Sequence, residues 1–431
     1  MSPTNACRCL PLLAGALFAC SAAHAQTHSD GPEHDQQRPR VLLIDDQFNA
    51  THARLVGITA DGITVEDASG NITLLAEGSV LALVAIDGPI DPGHGIGSIV
   101  PPDRTEPIRS ARITKALEVA AQGFIETTTG ARYPGAVAPT APIGDTVAWQ
   151  HPALGRIELS LDAITRLVMP GAAVDGPPVR TSEGADELRL ANGDVLTGYI
   201  LTIGPTTSVE TDAGNIVDLP IERVAAALLA NPSQPMSGTM IWLDDGSTFP
   251  AEALTATDST GIRMTLPGGE TVEYDPQTLR AIAFQAAGIL PLSELEPEEQ
   301  LPLGDRVFVE PIRTLRHPDD LAFSSGPVLN ALDIDMPGPM KVSWTLPPGV
   351  LRFAGTAALA DTSGGWGDCE FSIEIDGERA FSTRLHKGQP VAAYNIEIQG
   401  ALELSVIVEP GHYGPIRDRV FLHRPLLQID P

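Results

Sequence analysis

Cysteine is scarce in this chain. Of its four cysteines, Cys7, Cys9 and Cys20 sit at the extreme N-terminus, and only Cys369 lies in the body of the 431 residues. Once the N-terminus is removed, an internal disulfide is excluded. Aromatic residues make up only 5%, so strand cores have to rest on Val, Ile and Leu. Positive charge is also short: 27 Lys and Arg stand against 55 Asp and Glu, a formal net charge of −28. Nucleic-acid phosphates need a basic patch, so no nucleic-acid partner is expected. After the N-terminal segment, no apolar run reaches the ~20 residues of a membrane-spanning helix, so no transmembrane anchor is expected. His-Glu-x-x-His, Walker, Gly-x-Ser-x-Gly and paired Cys-x-x-Cys motifs are missing as well. Asp361-Thr-Ser-Gly364 superficially resembles an aspartic-protease loop, but that chemistry needs a second carboxylate sharing a proton, and the chain has no second copy. His151, His317 and His423 show no metal-ligand spacing. The expectation is a protein that is not an enzyme.

What is present begins with an export signal. Arg8 precedes the apolar stretch Leu10 to Ala23, and Ala23-His-Ala25 before Gln26 has the small-x-small form of a cleavage site. Residues 1–25 therefore read as a signal peptide, and the protein as exported: periplasmic, cell-envelope or extracellular. Leu17-Phe-Ala-Cys20 also fits a lipidated cysteine, although Phe18 is bulky for that pattern. Residues 26–39 are polar and lack apolar periodicity, as in a disordered tether.

Four segments then share one pattern, at 40–86, 123–169, 187–230 and 239–286. Each reads as hairpin, hairpin, then a short turn leading into a last strand, over roughly 45 residues, a length typical of repeated modules. Asn192-Gly193, Gly214-Asn215 and Asp245-Gly246 supply the turns. These units resemble small five-stranded Sm-like barrels. Propeller blades are the rival architecture, and the uneven spacing between units argues against them. The separating segments, 87–122, 170–186 and 287–305, read as linkers, the last of them acidic. The fold class expected is all-β.

From 306 to 431 the pattern changes. Cys369, Phe371, Ile373 and Ile375 alternate with polar residues, the mark of a strand with one buried face. Asp376-Gly377 turns it into the next strand, and strand candidates recur at short intervals, which argues a β-sandwich. Cys369 falls on the apolar face and reads as a small buried hydrophobe. Val342-Ser-Trp-Thr-Leu346, Asp361-Thr-Ser-Gly-Gly-Trp-Gly367, Phe371-Ser-Ile-Glu-Ile-Asp-Gly377 and Ile398-Gln-Gly-Ala-Leu-Glu-Leu-Ser-Val406 follow in order. Together they resemble the NPCBM family of carbohydrate-binding modules, a galactose-binding-like β-sandwich of jelly-roll type. That resemblance implies glycan binding. On the loops of this region, Trp366 and Tyr413 are candidate stacking residues, with Arg384 and His412 to address hydroxyls. Asp361 and Asp368 flank the Gly-rich loop and form a candidate structural Ca2+ site, with backbone carbonyls completing the shell. The second reading of the whole is a structural protein that contacts another cell-envelope component through its β modules.

Overall fold

A computed structural model describes residues 38–86, 122–140, 145–172, 184–257, 261–267, 269, 271–304, 310–315, 328–360, 367–414 and 418–430. The signal peptide, nearly all of the tether, most of the first linker, Asp361 and Trp366 lie outside the described residues. The chain is all-β, and the helical segments named among the described residues are three-residue 3-10 turns.

The first repeat holds β1 (Arg40–Asp45), β2 (Ala50–Thr59), β3 (Gly62–Glu66), β4 (Ile72–Leu75) and β5 (Val80–Ala85). All neighbours are antiparallel, and the order across the sheet is β5-β1-β2-β3-β4. The short turn Glu77–Ser79 sends the chain from β4 back across to β5. The second repeat repeats this order with β6 (Gly123–Thr127), β7 (Arg132–Val137), β8 (Thr146–His151), β9 (Gly155–Ser160) and β10 (Ile164–Val168). The third does so with β11 (Asp186–Leu190), β12 (Val195–Thr202), β13 (Thr206–Thr211), β14 (Ile216–Pro220) and β15 (Val224–Leu228). In the fourth, the second strand is broken at Glu252 into β17 (Thr248–Ala251) and β18 (Ala253–Thr257). Its other strands are β16 (Thr239–Leu243), β19 (Gly261–Thr265), β20 (Thr271–Tyr274) and β21 (Leu279–Ala283). Gly198 shows why glycine recurs in the second strand. Its φ is 155°, and a Cβ there would stand 2.1 Å from the Glu210 carbonyl oxygen. Gly135 in β7 repeats the constraint, with φ 145° and the Gln150 oxygen at 2.1 Å.

The repeats are not beads on a string. The last strand of the first repeat pairs antiparallel with the last strand of the fourth, Leu83 opposite Ile282. The last strands of the second and third repeats pair in the same way, Leu167 opposite Ala227. The second pair is thus nested inside the first along the chain. Each pair shares one core: Leu43, Ile63 and Leu83 pack with Phe249, Ile262 and Ile282 in the outer pair. In the inner pair Ile125, Trp149 and Ile164 pack with Leu188, Val209 and Val224. The pairs meet at Thr248 opposite Arg132 and at Tyr133, whose ring lies 5.3 Å from that of Phe249. The likeness of these repeats to Sm-like barrels is carried by the sequence pattern alone.

The expected linker at 287–305 is corrected by its hydrogen bonds. It contributes β22 (Ile289–Pro291) and β23 (Glu299–Pro302) to the C-terminal sandwich. One sheet runs β24 (Arg313–Leu315), β25 (Asp333–Pro337), β32 (Arg419–Ile429), β27 (Val350–Leu359), β30 (Val391–Glu397), with β22 also on β32. The other runs β23, β26 (Met340–Thr345), β31 (Glu403–Pro410), β28 (Asp368–Ile375), β29 (Glu378–His386). Trp344, Phe353, Phe371 and Leu427 fill the space between the sheets, with Leu292 from the turn after β22 among them. Cys369 is buried there, and burial pushes its thiol pKa up to about 12, which keeps it an unreactive packing group. A further apolar cluster joins Phe48, Trp242 and Ala283 of the outer repeat pair to Leu329, Ala354 and Leu426 of the sandwich.

Candidate functional site at the loop end of the sandwich

Six strand ends of the sandwich converge at one rim. Backbone hydrogen bonds tie the exits together: Leu359 N donates to Pro390 O, Ala360 N to Arg419 O, and Gly411 N to Asp368 O, all at 2.8–2.9 Å. Loop ends are where a sandwich offers free donors and concave surface, because its strand faces are consumed by the core.

Asp368, the first residue of β28, organises the described part of this rim. Its Oδ1 accepts from Arg384 Nε at 2.6 Å and its Oδ2 from Arg384 Nη2 at 2.7 Å. Oδ2 also accepts from the backbone N–H of His412 at 2.8 Å. The carboxylate is 1% exposed, whereas the Arg384 side chain is 57% exposed. The buried acid therefore holds an outward-facing guanidinium in a two-point grip. The Arg384 hydrogen bond is the main cause that holds the Asp368 carboxyl below the ordinary range, helped by the His412 N–H against the opposing effect of burial. The same bond raises the Arg384 pKa. Gly411 is required beside it, since a Cβ there would come within 2.3 Å of the Asp368 carbonyl oxygen.

The structure brings four of the residues singled out in the sequence into this one place. Tyr413 is 58% exposed, and its ring stands edge-on to that of His412 at 5.2 Å. Tyr413 also belongs to the electrostatic surroundings of Arg384. An exposed tyrosine ring beside a fixed guanidinium offers an apolar face next to directed N–H donors. His386, opposite Asp368 across the hairpin, adds an imidazole to the same end; its Nδ1 accepts from Gly388 N at 3.0 Å. Asp418 lies beneath, 2% exposed, its Oδ1 accepting from Asp368 N at 3.4 Å.

Of the two expected calcium ligands only Asp368 is among the described residues, and its oxygens accept from Arg384 Nε and Nη2 and from the His412 backbone N–H. Among the described residues, no group of three or more His, Cys, Asp and Glu is placed to hold a metal ion. Asp368, expected at a metal, and Arg384, expected at a ligand, form one unit in the structure.

A Ser–His contact elsewhere looks at first like a nucleophile and its base. His151 Nε2 lies 3.1 Å from Ser247 Oγ. Its Nδ1, however, accepts from the backbone N–H of Ala153 and Leu154 at 3.1 and 3.0 Å. Among the described residues no carboxylate hydrogen-bonds the ring, and both residues are buried at the junction of the repeat pairs. The contact is a structural latch between Ser247 and the β8–β9 turn.

The comparisons with known proteins bear on the sandwich. Residues 334–426 match the NPCBM/NEW2 domain. Solved structures similar to this chain include the CBM51 module of Clostridium perfringens GH95 in complex with methyl-galactose. It is 16% identical, with 32% of this chain and 99% of that one covered at a TM-score of 0.27. A second is the CBM51-2 and INT domains of C. perfringens ZmpB in complex with GlcNAc, 12% identical, covering 42% of this chain at a TM-score of 0.27. The chain spans 40% of that structure. A third is the tandem CBM51 modules of Sp3GH98 from Streptococcus pneumoniae, 11% identical, covering 71% and 88% at a TM-score of 0.25. No curated protein matches the chain. The NPCBM/NEW2 match takes in the guanidinium–carboxylate pair, His412 and Tyr413. Among the described residues, no helix is long and apolar enough to cross a membrane.

Proposed function

We propose that this is an exported, non-enzymatic protein that binds carbohydrate at the loop end of its NPCBM/NEW2 sandwich. The observation that carries the reading is the two-point grip of Asp368 on Arg384 beside exposed Tyr413, inside the region matching that domain. A pyranose has an apolar face and a rim of hydroxyls. Tyr413 suits the face, while the outward edge of Arg384, with His412, suits the hydroxyls. Trp366, the second stacking candidate of the sequence, lies outside the described residues. Binding is expected to be weak, because one or two stacking contacts and solvent-exposed hydrogen bonds leave little surplus over ordering costs. The signal-like residues 1–25 support export.

Calorimetric titration of the full-length protein against methyl-galactoside and neutral oligosaccharides tests the reading. The expected result is saturable binding that falls about tenfold or more, roughly 1.4 kcal/mol, in Tyr413→Ala. Absence of binding to every neutral glycan would remove it. The second reading, a cell-envelope scaffold, would then be favoured by the apolar junction of Phe48, Trp242 and Leu426, which fastens the sandwich to the repeats.

A further inference from the structure

We propose that the junction between the first repeat and the sandwich binds a small oxyanion between Arg424 and His52. The site is built by a bulge in β32. Ala354 of β27 faces Leu426 and Thr356 faces His423, so β32 carries one residue more than its partner here. Arg424 takes up the extra length in the left-handed region, with φ 45°. That conformation costs a non-glycine residue energy and persists where the surroundings require it. Gly355 makes room opposite, since a Cβ there would stand 3.0 Å from the Arg424 carbonyl oxygen. Bulges re-aim side chains, and this one brings the Arg424 guanidinium within electrostatic reach of His52 on β2. The backbone N–H of Arg424 donates to Asp333 Oδ1 at 3.2 Å, and Asp333 Oδ2 pairs with His423 Nδ1 at 2.7 Å. The guanidinium itself has no hydrogen bond or ion pair among the described residues, although Arg424 is half-buried. His52 Nδ1 is buried and likewise has no partner among them.

A guanidinium drawn out of water needs acceptors for its N–H groups and an opposite charge close by. Burial is the main cause that lowers the Arg424 pKa, with Asp333 opposing. Asp333 offsets part of the charge, but its oxygens are given to His423 and to the Arg424 backbone. An oxyanion supplies what both unpartnered side chains lack. The adjoining charges favour it. Leu42 faces the sandwich with His52 opposite it, and the next rung on that face sets Arg40 opposite Arg54. The acids on this side are engaged or further off. Glu66 pairs with Arg38 and Arg54, and Asp45 turns its oxygens to Gln47 and Asn49 of its own turn. Asp46 lies in that same turn, beyond the rung of Ile44 and Ala50. The ligand class is a sulfate, phosphate or carboxylate group. Held from both sides, it ties the first repeat to the sandwich alongside the apolar contacts of Phe48 and Leu426.

Sodium sulfate titrated into the full-length protein at constant ionic strength tests this, read by histidine ring NMR and by thermal unfolding. The His52 signal should shift saturably with sulfate. The unfolding midpoint should rise to a plateau that sodium chloride does not produce. Arg424→Gln should lose both responses, and Arg424→Lys, which keeps the charge without the fork, should weaken them. Should Arg424→Gln not fold, Arg424→Lys and the wild-type His52 signal decide. A bound anion favours protonated His52, so the apparent sulfate affinity should rise as pH falls from about 7.5 to about 6. His52→Gln, with His423 and Asp333 left in place, should remove that rise. Inorganic phosphate and acetate in the same titration tell a tetrahedral oxyanion from a carboxylate. A midpoint that climbs without a plateau, and equally in Arg424→Gln, is the general effect of sulfate on proteins and would overturn the proposal. A wild-type His52 signal that sulfate leaves in place would sink it as well.

Discussion

Arg384 reaches back across the β28–β29 hairpin and closes two hydrogen bonds, 2.6 and 2.7 Å, on Asp368, a carboxylate almost without solvent contact. The native carboxyl is held below the ordinary value by that bond. Its contribution to stability is therefore complete above the ordinary pKa of ~3.9 and is lost as pH falls through the depressed native value. Thermal unfolding followed from about pH 5 down to about pH 2 should show a shallower acid loss in Asp368→Asn than in wild type. Arg384→Lys keeps the charge but not the fork, so it should weaken glycan binding without abolishing the fold. An unchanged affinity in Arg384→Lys would remove the guanidinium from the site.

This pair was half legible in the sequence. Alternation from Cys369 to Ile375 and the Asp376-Gly377 turn define the hairpin. A ladder counted straight back from that turn sets Asp368 opposite Leu385, which sends Arg384 to the other face. The observed ladder slips by one residue between Ile373 and Glu374, so Asp368 faces His386 and Arg384 faces Glu370. A one-residue bulge flips every following side chain. Its signal was the need to bury Phe381 and Leu385 against the core rather than Arg384. The pairing of repeats was less legible. β5, β10, β15 and β21 are all short and mostly apolar, so their composition does not choose which last strand joins which.

His151 should make the repeats sensitive to mild acid. Burial lowers its pKa, with Asp245 opposing. Its Nδ1 must stay unprotonated to accept the Ala153 and Leu154 N–H groups, so Nε2 carries the proton toward Ser247. Tyr133 and Phe249 pack around the ring. The stability it contributes is full above the ordinary histidine value of ~6.5 and declines as pH falls from there through the lowered native value. The unfolding midpoint should fall between about pH 7 and pH 5, and His151→Gln should flatten that fall. His52, whose pKa is lowered by burial and then by Arg424, accounts for a remaining slope. An identical slope in His151→Gln would show that the latch is not the titrating element.

Two glycines separate steric need from turn preference. Gly198 combines φ 155° with a carbonyl oxygen 2.1 Å from the place of a Cβ, while Gly214 has φ 75° and nothing within 4 Å. Gly214→Ala should cost about 1–2 kcal/mol, the penalty of a left-handed backbone. Gly198→Ala adds a clash with backbone of β13 and should cost about 2–4 kcal/mol. Urea denaturation of the two variants checks the order. Equal losses would mean that β12 and β13 can part without consequence.

The segment between the repeats and the sandwich carries the last prediction. Its acidic, proline-containing sequence suggests an exposed linker, yet both of its short strands complete sheets. β25 covers β32 only from Arg419 to Leu422, and β22 takes the same edge from Leu426 to Gln428. β23 covers the outer edge of β26, Glu299 opposite Ser343. Leu292, between them, is fully buried in the sandwich core. Protease should therefore spare residues 287–304 in the folded protein. A fragment beginning at Phe284 should unfold at a higher urea concentration than one beginning at Arg306, which bares two edges and leaves a cavity in place of Leu292. Deleting that one buried leucine, as Leu292→Ala, should cost about 2–5 kcal/mol in the full-length protein. Fragments of equal stability would show that the sandwich does not need these strands.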